Sequence, residues 1–114
     1  MSNEAKNPGE VTLCVSNGYK KKFYLNENFN QLPQSIRDEL KIMCVLYTED
    51  VGGILELVFD EDGTLQFKTS CEENDFLYDE IGSVLKIKQH QNEKRDLLEA
   101  LEMFYRIIYL GEGL

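Results

Sequence analysis

At 114 residues the chain has room for one domain, and 42% hydrophobic against 29% charged residues is the balance of a chain that can bury a core. Twenty-one Asp and Glu against twelve Lys and Arg leave a net charge of −9, a surface that repels phosphate backbones and excludes nucleic acid as the expected partner. Three cysteines (Cys14, Cys44 and Cys71) with no metal-type pairing, and no apolar run long enough to span a bilayer, point to a cytoplasmic protein with reduced thiols and no membrane partner.

The opening MSNEAKNPG, residues 1–9, is polar and lacks the apolar stretch of a secretory signal, so it reads as a disordered lead. A single α+β domain is expected over 10–111, with 112–114 a tail. Its first element, VTLCVSNGYKKKFYL, reads as a β-hairpin. A two-residue Asn17-Gly18 turn would set Val15 against Lys20. A Ser16-Asn17-Gly18 loop instead pairs Val15 with Tyr19 and Val11 with Phe23, and is preferred because apolar residues then share one face. Lys20, Lys21 and Lys22 fall on the second strand as a solvated basic run.

NENFNQ, residues 26–31, is a polar loop, and Pro33 then stands in the first turn of a helix, where its missing N–H costs nothing. Ile36, Leu40, Met43, Cys44, Tyr47 and Val51 recur on one helical face, and Gly52-Gly53 ends the run. CVLYT is apolar on both sides, so residues 43–48 could alternatively form a strand.

The next stretch, VFDEDGTLQF, is the sharpest functional-looking one, because three carboxylates and a glycine could open a calcium loop. The spacing refuses it. Counting from Asp60, the sixth position is Leu65 and the twelfth is Cys71, where an EF-hand needs glycine and a bidentate glutamate. A hairpin with a three-residue Glu61-Asp62-Gly63 loop fits better, since Asp60 then faces Thr64, Phe59 faces Leu65, Leu57 faces Phe67 and Glu56 faces Lys68. Gly63 takes the left-handed position that closes such a loop. Strands are expected over 54–60 and 64–70.

CEENDFLYDEIGSVLKIKQH carries capping candidates Asn74 and Asp75, acid early, and Lys86 and Lys88 late, in accord with a helix dipole. Leu77, Ile81, Val84 and Leu85 share a helical face, although VLKIK alternates and residues 84–88 could be a further strand. Asn92 is expected to cap a last helix over 93–110. That helix carries a core stripe of Leu97, Leu101, Phe104, Tyr105 and Ile108. A second stripe, Ala100, Met103, Ile107 and Leu110, follows the same spacing on another face. Either the rest of the chain covers both stripes or a partner covers the second, and the second stripe is the candidate interface. The order ββ-α-ββ-α-α describes an antiparallel sheet of two hairpins with helices packed on one face.

ELKIMCVLYTEDVGGILELVFDEDGTL, YDEIGSVLKIKQ and LLEALEMFYRIIYLG together resemble a domain-of-unknown-function family of small acidic proteins from anaerobic Gram-positive bacteria. The resemblance covers roughly residues 11–111 and implies no activity, so no site residue follows from it.

Little in the sequence points to catalysis. His90 is the single histidine, so any Cys-His or Ser-His pair would have to use it, and it stands in the polar junction KIKQHQNEK, where an exposed, idle imidazole is expected. Cys71 precedes Glu72-Glu73, unlike the electropositive surroundings that reactive cysteines prefer, while Cys14 and Cys44 sit in apolar patterns and read as core. The acidic clusters at 60–62 and 72–75 lie at opposite ends of one hairpin, too far apart for a shared metal or glycosidase pair. Gly52-Gly53 follows a helix and lacks the Lys-Ser/Thr of a phosphate loop. No catalytic, cofactor-binding or metal residue is assigned. The reading is a non-catalytic protein–protein interaction module, pairing as a homodimer or with another cytosolic protein. The alternative is a small-ligand-binding or enzymatic domain with a pocket between sheet and helices.

Overall fold

The hairpin around Gly63 anchors the architecture. β3 (Ile54–Phe59) and β4 (Leu65–Ser70) pair antiparallel with Phe59 opposite Leu65, Leu57 opposite Phe67 and Glu56 opposite Lys68, the register expected from the side-chain pattern. The Asp60 N–H donates to the Thr64 carbonyl at 2.9 Å and the Gly63 N–H to the Asp60 carbonyl at 2.9 Å, closing the loop with Gly63 at φ +84°. The computed structural model describes residues 9–112; residues 1–8 of the expected lead and 113–114 of the expected tail lie outside them.

β1 (Val11–Asn17) pairs with both β2 (Lys22–Leu25) and β3, giving a four-stranded antiparallel sheet in the order β2-β1-β3-β4. Between Thr12 and Cys14 the β1–β3 register shifts by one residue, and Leu13 and Cys14 are both buried at this bulge. The first hairpin corrects the expected register. Val15 faces Tyr24 and Ser16 faces Phe23, with a four-residue connection over 18–21 in place of a Ser16-Asn17-Gly18 loop. The cause is tertiary. β1 runs on to Asn17 because Asn17 pairs with Ile54 of β3, and the Gly18 N–H continues the ladder to the Gly53 carbonyl at 2.8 Å. Gly18 serves close approach and not a left-handed turn, since a Cβ there would lie 2.8 Å from the Gly53 oxygen. The left-handed residue of this connection is Lys21, at φ +54°.

One face of the sheet carries Leu55, Leu57, Phe59 and Leu65 into the core with Leu13 and Cys14. α1 (Gln34–Val51) lies against it through Leu40, Met43, Cys44 and Tyr47 and stops at Gly52, so residues 43–48 are helix and not strand. Ser16 and Thr48, both buried, share a hydrogen bond of 2.8 Å between sheet and helix. The loop read as polar over 26–31 contains a short 3-10 turn, Glu27–Phe29, capped by the Asn26 side chain. It delivers Phe29, fully buried, among Phe59, Phe104, Tyr105 and Tyr109.

α2 (Glu80–Glu93) and α3 (Arg95–Ile108) complete the α+β layer, and residues 84–88 are helix. Two expected caps fall elsewhere. Residues 71–79 form turns, and Asp79, not Asn74 or Asp75, caps α2 by accepting from the Gly82 N–H at 2.9 Å. Asn92 lies inside α2, which continues to Glu93, and the break into α3 is at Lys94, whose φ of −111° leaves the helical region. The polar Gln-His-Gln-Asn run looks like a loop by composition, but packing of Ser83, Ile87 and His90 toward α1 and the core keeps it helical.

Candidate functional site

α2 turns an unexpected side to its neighbours. Ser83 is its buried residue, and its hydroxyl is hydrogen-bonded to the Tyr47 hydroxyl of α1 and accepts from the Tyr78 hydroxyl at 2.9 Å. Burial pushes the Tyr47 pKa up to about 12, so this phenol stays a neutral hydrogen-bonding group at any physiological pH. With Ser83 held inward, Ile81 and Leu85, about half a turn away, must point outward, and Val84 follows them to the side. The three are 75%, 62% and 52% exposed respectively, joined by Phe76 and Leu77 of the preceding turns at 89% and 95%. Of the helical face expected from Leu77, Ile81, Val84 and Leu85, the last three do share a side of α2, but it faces outward, and Leu77 lies in the turns before the helix. Periodicity located the face; only the hydroxyl contact at Ser83 shows which way it points.

The second stripe of α3 is also largely outward. Ala100 is exposed, Met103 is 59% and Leu110 37% exposed, and Ile107 is half-buried. Ile108, expected in the core stripe, is 56% exposed and is corrected to the outer side. In the last turn the inward position is taken by Tyr105, stacked on Phe59 with ring centroids 4.2 Å apart, while Tyr109 just past the helix is 39% exposed and stacks on Tyr105 at 5.2 Å. Leu97 and Leu101 hold the core positions assigned to them, and Phe104 packs half-buried against it.

The remaining reactive groups are engaged in structure. Cys14 and Cys44 are buried with sulfurs 3.8 Å apart, and the hydrogen bond shared with Cys44 together with burial holds the Cys14 thiol well above its usual pKa. Cys71 is exposed. His90 is not idle in solvent. It is half-buried in the α1–α2 seam in an edge-type ring contact with Tyr47, centroids 6.3 Å apart, and its Nδ1 is buried without a hydrogen-bond partner. Burial, with Lys86 nearby, lowers its pKa from the ordinary 6.5. The Asp60 carboxylate accepts from the N–H groups of Thr64 and Asp62 and from the Gln66 side chain, and the Thr64 contact leads in lowering its pKa. Among the described residues no three His, Cys, Asp or Glu side chains gather as a metal ion requires, and no helix is long and apolar enough to cross a membrane.

These features define an α+β domain whose outermost helices carry uncovered apolar faces. A family model covers residues 10–113, and the chain belongs to that family, the family of unknown function DUF6145. No curated protein and no solved structure matched the chain.

Proposed function

We propose that the protein is a non-catalytic protein–protein interaction module of the cytosol. The observation that carries this is the run of Phe76, Leu77, Ile81, Val84 and Leu85, five large apolar side chains more than half exposed over ten residues. Monomeric soluble proteins seldom leave large apolar patches to water. Burying one of these side chains is worth roughly 1.5–3 kcal/mol, so a partner covering several can offset the entropy of association. The second face, Ala100, Met103, Ile107 and Leu110 on α3, supports the same reading with a smaller exposed surface. The partner is a second copy of this chain or another cytosolic protein, because a twofold contact lets one patch cover itself.

Sedimentation of the wild type and of Ile81→Glu, Leu85→Glu and Met103→Glu tests the reading. The expected outcome is a dimer at roughly 100 µM, where a micromolar contact is well populated, converted to monomer by the α2 or the α3 substitutions while circular dichroism stays unchanged. A wild type that remains monomeric at that concentration removes the homodimer form. If Ile81→Glu or Met103→Glu unfolds the chain, that face belongs to its own core and the interface assignment for it falls.

A further inference from the structure

A groove of about 600 Å³ opens between the first hairpin and α1, well away in chemistry from the apolar faces. Its volume lies within the range of small-molecule sites. Lys21, Lys22 and Phe23 form one wall, and Lys41 and Val45 of α1 form the other. In a chain of net charge −9, three ammonium groups against one carboxylate, Glu49, make this lining positive by two charges. Lys68, Lys86 and Lys94 each hold a carboxylate, with Glu10, Asp50 and Glu39 respectively. Among the described residues, Lys21, Lys22 and Lys41 hold none.

The floor is polar but already satisfied. Ser16 and Thr48 are hydrogen-bonded to each other, and Thr48 also reaches the Cys44 and Val45 carbonyls at 3.3 and 3.2 Å. The charged donors of the lining are therefore the three ammonium groups, beside the neutral Asn17 side chain, whose Oδ1 accepts from the Tyr19 and Lys20 N–H groups. Lys21 adds a second kind of observation. It is the non-glycine among the described residues with positive φ, +54°, a conformation a glycine would adopt without the Cβ penalty. A charged side chain is held at a position where the fold alone would be better served by glycine, and such strain gathers at binding sites.

We propose that this groove binds a small phosphate monoester. Its dianionic phosphate is held by Lys21, Lys22 and Lys41, and its organic part rests on Phe23 and Val45. A charge of minus two matches the net plus two of the lining, and compact lysine ammonium groups suit phosphate as point charges. This goes beyond the interaction reading and uses none of the residues on which that reading rests.

The test is a titration of the full chain with phenyl phosphate, followed by amide NMR shifts, with phenol, benzoate and sodium chloride of matched ionic strength as controls. Saturable shifts confined to residues 16–23 and 41–49 are expected for phenyl phosphate, with benzoate weaker and phenol and chloride inert. Lys41→Gln should weaken binding by roughly tenfold, as loss of one charge-assisted contact would. Lys21→Gly should weaken it similarly while the melting temperature holds or rises, a pairing that a merely structural lysine would not produce. Absence of saturation into the millimolar range, equal response to phenol or chloride, benzoate binding as tight as phenyl phosphate, or undiminished binding by Lys41→Gln and Lys21→Gly would each overturn the proposal.

Discussion

Gly63 shows how a single residue can be read from sequence. Its left-handed φ of +84° follows from the loop length that aligns Phe59 with Leu65, and no distant contact is needed to infer it. A Cβ at this position would also lie 2.8 Å from the Arg106 side chain of α3. Gly63→Ala should therefore lower stability by about 1 kcal/mol or somewhat more, measured as a shift in urea midpoint without a change in slope. His90 shows the opposite case. Its half-buried place beside Tyr47 depends on how α2 is rotated, which its polar neighbours do not reveal. Because burial depresses its pKa below the usual 6.5, the unfolded chain takes up a proton that the folded chain resists. Its contribution to stability is thus complete above about pH 6.5 and declines as pH falls toward the folded value. Urea midpoints should drop between about pH 7.5 and about pH 5.5, and His90→Gln should flatten that drop. An unchanged slope in the variant would assign the loss to other groups.

Among the elements, the short turn at Glu27–Phe29 and the helix α2 exchange the roles that composition suggests. The turn is polar in five of its six neighbouring positions, yet Phe29 is fully buried in an aromatic cluster with Phe59, Tyr105 and Tyr109. The Tyr109 hydroxyl donates to the Asn28 carbonyl and ties the same turn to the end of α3. α2 and its approach are rich in large apolar residues, yet Leu77 is 95% exposed. Phe29→Ala should cost about 3–5 kcal/mol, as for a buried aromatic in a packed core, whereas Leu77→Ala should leave the thermal midpoint of the monomer nearly unchanged. Thermal melts of the two variants in one buffer make the comparison, and a large loss for Leu77→Ala would mean that the face belongs inside.

At the scale of the whole molecule, charge and apolar surface are separated. The carboxylates at 72, 73, 75, 79 and 80 flank or interrupt the apolar run before and along α2, while Lys21, Lys22 and Lys41, none of them paired with a carboxylate among the described residues, line the groove beside α1. Self-association through α2 works against the net charge of −9, so any dimer must gain more from apolar burial than it loses to repulsion. A ligand at the groove meets the opposite condition, since local lysines outweigh the general field there. The two surfaces therefore divide the two functional readings of the chain, a partner at the helices and a small anion at the sheet edge.

Sequence by itself determined the α+β class, the order of elements, the β3–β4 register and the inward face of α1, because each rests on local periodicity, turn chemistry or a stop signal acting within a few residues. The stripe Ala100, Met103, Ile107 and Leu110 was legible for the same reason. The register of the first hairpin was not, because β1 is lengthened by pairing with β3, some forty residues away in sequence. Nor was the outward turn of α2, whose two faces differ little in hydrophobicity, so that the hydroxyl contacts of Ser83 with Tyr47 and Tyr78 decide its rotation. The lysine groove was visible only as a solvated run, because Lys41 reaches it from a helix that the sequence places twenty residues on. Interactions close along the chain are written into its pattern; those that close loops of twenty to forty residues depend on which alternative packing wins, and only the tertiary structure decides that.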